Sequence, residues 1–81
     1  MKTVSWEITK IINVAKELKA NGETAASTGE HIAAAFVLNR MELLPENYPD
    51  AAEAWERLGS DWQAHVKQIK ANYLYLIEGR Y

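Results

Sequence analysis

With 81 residues and no cysteine, the chain sits near the lower limit at which a hydrophobic core suffices alone. Disulfide staples, thiolate metal sites and a cysteine nucleophile are excluded. Nine basic residues stand against eleven acidic ones, interspersed rather than in blocks, so the net charge of −2 leaves no basic footprint for nucleic acid.

Residues 1–7 lack the apolar stretch of a signal peptide, and no apolar run approaches the roughly 18 residues of a membrane span. A soluble, cytoplasmic protein without a membrane partner is the expectation. Abundant Ala, Glu, Lys and Leu, and the lack of alternating Val/Ile/Thr segments, place it in the all-α class. The predicted architecture is a single domain, residues 1–81, built as a small bundle of four helices at about 5–20, 28–44, 50–58 and 60–78. The second of these is its central apolar helix.

The first helix begins near Val4 or Ser5, with Thr3 or Ser5 as N-cap. Val4, Ile8, Ile11, Ala15 and Leu18 recur at 4-3-4-3 spacing, a two-heptad seam. Asn21-Gly22 ends the helix, because both residues tolerate the left-handed conformation of a C-terminal cap. Trp6 falls almost opposite the seam. It reads either as a first-turn indole folded onto a neighbour or as an exposed aromatic anchor.

Ser27-Thr28-Gly29-Glu30 has the form of a capping box and opens the central helix. Pro45 disfavours helical geometry in Leu44 and sets the expected end there. At about 100° per residue, Ile32, Phe36 and Leu43 share one face, while Val37, Leu38, Met41 and Leu44 spread across the other. Only Asn39, Arg40 and Glu42 interrupt the apolar surface. Asn39 falls on the Ile32–Phe36 side, where its amide either fixes the register of a helix pair or sits wet at the core's edge.

Pro45-Glu46-Asn47-Tyr48-Pro49 is a rigid connection, and Asp50 with Glu53 forms the next cap pair. Ala51, Ala54, Trp55 and Leu58 make one stripe of a short third helix. Gly59 followed by Ser60-Asp61-Trp62-Gln63 signals a stop and a new capping box. Two helices are therefore preferred to a single one over residues 50–78. Trp62, Val66, Ile69, Tyr73 and Leu76 form the last seam, which ends before Gly79.

A helix that is apolar nearly all round needs cover on more than one side. The third helix supplies part of it, and a twofold-related copy would supply the rest. Leaving two or three such side chains in water would forgo roughly 1.5–3 kcal/mol each. In the competing arrangement the third helix and the proline-rich loop cover that face and the protein is a monomer.

Candidate chemistry is sparse. His31 and His65 lack metal-ligand spacing, and Glu53 and Glu56 lie on a solvated helical face with nothing to build a cleft. Serines 5, 27 and 60 are accounted for as caps, and glycines 22, 29, 59 and 79 punctuate helices rather than cradle phosphate. No catalytic residue, cofactor or metal is expected. The last helix carries Gln63, Lys67 and Lys70 along one strip, with Arg57 nearby. Asp61 and Glu78 at its ends spoil the charge balance for phosphate binding.

The surface aromatics remain. Tyr75 projects away from the last seam, Leu74 flanks it, and Tyr81 ends the sequence. With Trp6 they offer amphipathic anchors, or they pack on a loop or a dimer mate. The reading is a non-enzymatic helical protein–protein interaction module of adaptor or inhibitor type. It self-associates as a homodimer and binds an unidentified protein. Its expected contact residues are Val37, Leu38, Met41, Leu44, Trp6, Leu74 and Tyr75. The alternatives are a DNA-associated accessory regulator using residues 60–78, and a stand-alone helical protein with no face beyond its own dimer.

Overall fold

Residues 5–78 are described by the computed structural model; Thr3, Val4, Gly79 and Tyr81, which figured in the expected caps, seams and patch, lie outside them. The described residues form four α-helices and one turn of 3₁₀ helix, with no strand. The first helix, α1 (Trp6–Asn21), starts at Ser5, whose hydroxyl accepts from the Ile8 N–H at 3.3 Å. It stops where Gly22 turns left-handed (φ 78°) and donates its N–H to the Leu18 carbonyl at 2.7 Å. Ile8, Ile11, Ala15 and Leu18 are buried as the seam requires. Ile12 and Val14 are buried too, because α1 packs against more than one neighbour.

Helix α2 (Thr28–Leu38) opens with the expected capping box: the Ser27 hydroxyl accepts from the Glu30 N–H and the Glu30 carboxylate from the Ser27 N–H, both at 3.3 Å. It ends well before Leu44. Asn39 adopts a left-handed conformation (φ 59°, ψ 38°) and donates to the Phe36 carbonyl at 3.0 Å, while the Arg40 N–H reaches Ala35 at 3.1 Å. This paired closure is a Schellman motif. Asn39 is thus exposed at a helix end, not a polar residue inside a helix pair.

Residues expected to prolong the helix instead form the 3₁₀ turn Met41–Leu43 and fold back along α2. His31 Nε2 in the first turn of α2 donates to the Leu43 carbonyl at 2.6 Å, and Leu43, Leu44 and Tyr48 pack on the core. A carbonyl can only accept, so this bond fixes a proton on Nε2.

Asp50 begins α3 (Ala51–Asn72) by accepting from the N–H groups of Ala52 at 2.8 Å and Glu53 at 3.1 Å. The helix is broken internally at Gly59 (φ 80°, ψ 165°), which leaves two arms, residues 51–58 and 60–72. The stop at Gly59 is therefore real. The Gln63 side chain does not complete the expected box with Ser60; its amide donates across the kink to the Trp55 carbonyl at 2.7 Å.

The helix expected to reach residue 78 stops at Asn72 and restarts as α4 (Tyr75–Glu78). Val66 and Ile69 of its seam are buried and Trp62 and Tyr73 half-buried. The interruption then shifts the phase: Leu76 is left 40% exposed and Ile77 enters the core at 7%.

α2 packs on both α1 and α3, and α4 packs on α1. One contiguous core draws Ile11, Leu18, Ile32, Val37, Val66, Ile69 and Ile77 together. No helix among the described residues is long and apolar enough to cross a membrane.

Candidate functional site

Two contacts set α3 beside α2. Arg57, Leu58 and Trp62 share a cleft with Ser27–Glu30 at the start of α2, and the Lys70 ammonium donates to the Phe36 carbonyl at 3.2 Å near its end. The second arm of α3 therefore runs in the same direction as α2. The first arm leans over the pair, placing Trp55 edge-on to Phe36 with ring centroids 5.0 Å apart and planes at 64°.

An apolar groove of about 340 Å³ opens between these three segments. It is lined by Phe36, Trp55 and Val66, with Lys67 and Lys70 beside them. Val66 is a buried floor, whereas both aromatic rings are half-buried and present surface. Lys70, from α3, sets its ammonium at the C-terminal end of α2, where the last-turn carbonyls gather negative partial charge. Lys67 is exposed and makes no ion pair with any described residue; the one ion pair among them is Arg40–Glu42 at 3.0 Å.

Two other clefts differ in chemistry. One, of about 550 Å³ at the end of α1, is lined by Glu17, Asn21, Glu23, Thr24 and Ala25, with the Thr24 hydroxyl donating to the Glu17 carboxylate. The other, about 260 Å³, is the notch over the capping box, whose lining includes both Glu30 and Arg57. Among titrating groups, Glu42 departs from ordinary behaviour: its own backbone N–H and then the Arg40 guanidinium hold its carboxyl below the usual range.

The expected contact residues separate into three kinds. Val37 is 1% exposed and lies inside the core of its own chain, so it has no surface to give a partner. Leu38, Leu44 and Leu74 are half-buried and pack on that core, and Met41 is half-buried in the 3₁₀ turn. Trp6 at 68% and Tyr75 at 49% are exposed. The expected surplus around residues 32–44 is thus largely consumed intramolecularly. With Ile32, Ala33, Ala34 and Ala35 at 0%, α2 is enclosed by α1, α3 and the returned loop.

The strip proposed for DNA is also altered, because Gln63 is engaged with Trp55 and Lys70 with Phe36. Sequence reasoning missed the groove altogether. Its aromatic pair was visible as two separate stripe residues, Phe36 and Trp55, but nothing in their spacing placed them together. Comparison with protein-family models, curated proteins and solved structures gives no match for this chain.

Proposed function

We propose that this is a small helical protein-binding module whose contact surface is the groove between α2 and the two arms of α3. One observation supports it above the others: two partly open aromatic rings, backed by a buried floor, sit in a concavity rather than on a convex face. Aromatic anchors in pockets dominate the energetics of protein recognition. A DNA-associated role would use the same arm of α3. With Gln63 tied to the Trp55 carbonyl, that arm offers Lys67 and the remaining N–H donors of Lys70 for phosphate contact, and no side chain of the strip free to read a base edge. Self-association draws no help from Val37. A second copy could use the exposed Trp6, Tyr75 and Leu76, the half-buried Leu38, Met41, Leu44 and Leu74, or the groove itself.

Site-specific photocrosslinking tests the reading. A photoreactive residue replacing the exposed Ala71, one turn beyond Lys67 on α3, should capture one protein from native extract at low salt and, less strongly, at high salt, and the same residue replacing the exposed Asn13 on α1 should not. Equal capture from both positions, or nucleic acid recovered only at low salt, would overturn it.

A further inference from the structure

Resting on that reading, we propose that the groove's occupant is an acidic amphipathic helix of another protein, seating an aromatic or aliphatic side chain between Phe36 and Trp55 and setting carboxylates against Lys67 and Lys70. The argument is charge complementarity on an otherwise acidic chain. The protein carries a net charge of −2, yet the groove's lining holds two lysines and no carboxylate. The clefts at the end of α1 and over the capping box each carry glutamate, the second beside Arg57.

Lys70 is held in place by the Phe36 carbonyl, which leaves its remaining N–H donors and its charge directed to the rim with less rotamer freedom to lose on binding. Lys67 lies one helical turn earlier on the same arm, so the two ammonium groups flank the apolar slot as neighbours three residues apart. A helix docking in a groove presents its anchors at i, i+3 or i+4 and its polar residues beside them. Carboxylates one turn from the anchor would meet such a pair. A neutral helix would leave both lysines without compensation, and a basic one would in addition be repelled at close approach.

A random-peptide display library long enough for three helical turns should be selected against the full chain. Enriched sequences should be net negative, with an aromatic or aliphatic anchor pair at helical spacing. Synthetic versions should weaken with added salt, and by roughly tenfold against Lys67→Glu. Trp55→Ala should abolish binding. Because that variant removes a half-buried ring, Lys67→Glu, at an exposed position and checked by circular dichroism, is the deciding one.

Selection of neutral or basic sequences that still require Trp55 would overturn the acidic occupant while leaving the groove as the binding surface. Failure of every selected sequence to depend on Trp55 or Lys67 would overturn both. Displacement of the selected peptides by duplex DNA at equal charge concentration would assign the rim to phosphate instead, and also overturn the proposal.

Discussion

At Asn39 the backbone enters the left-handed region, which costs most L-residues roughly 1–2 kcal/mol and asparagine less, because its short amide bonds locally. Asn39→Gly should therefore leave the urea midpoint unchanged or slightly raised. Asn39→Val should lower stability by about 1–2 kcal/mol through the same dihedral. Equal midpoints for the two variants would show that the helix does not end there. The identity of Asn39 was legible, since asparagine before glycine served to end α1, but a following run of Met, Leu and Leu argued for continuation. What decided was the return of that run onto α2, a tertiary contact that no local pattern states.

Close by, Glu42 gives a residue-scale pH prediction. Its folded carboxyl binds a proton less tightly than the unfolded one, so its contribution to stability is present above the ordinary carboxylate range. That contribution is lost as pH falls through the lowered folded value. A carboxyl-detected NMR titration should find Glu42 below the ordinary glutamate value. Arg40→Gln should move it only part of the way back, because the backbone N–H is the larger cause. Full return on that substitution would reverse the order of causes.

Among the elements, α3 shows how one glycine shapes the groove. Gly59 at φ 80° and ψ 165° occupies a region essentially reserved for glycine, and it bends the first arm so that Trp55 can reach Phe36. A Cβ built there meets nothing within 4 Å, so a substitution is penalised by the dihedral alone. Gly59→Ala should destabilise by about 1–3 kcal/mol. Gly29→Ala, in the first turn of α2 and equally uncrowded, should be neutral or stabilising by up to about 1 kcal/mol. Thermal melts of the pair with matched signs would mean that the kink is incidental.

The break was readable because a helix-stopping residue and a helix-starting one stand side by side. The caps at Ser5, Ser27 and Asp50 were readable for the same local reason. The lost phase at Tyr73-Leu74 was not, since Trp62, Val66, Ile69 and Tyr73 keep perfect spacing up to the point where the chain turns onto α1.

Across the whole molecule, the shortest α-helix ties the last described segment to the first. α4 touches α1, and its Ile77, at 7% exposure, belongs to the same core as Ile11 and Leu18. A chain of this length has a total stability of about 4–12 kcal/mol on the usual per-residue scale. Truncating a buried isoleucine typically removes about 2–5 kcal/mol of it. Ile77→Ala should therefore lower the denaturation midpoint of the entire protein rather than fray its end.

Far-UV circular dichroism and tryptophan fluorescence should report coincident transitions, as a single cooperative core requires. The neighbouring Leu76→Ala, at a position 40% exposed, should shift the midpoint far less. If the two variants behave alike, or if Ile77→Ala changes only a minor early phase, α4 is an appendage and α1 completes its core without it. The groove, which is lined by residues of α2 and α3 alone, would then keep its peptide affinity in the Ile77→Ala variant at full strength, whereas a shared core predicts that binding and folding are lost together on heating.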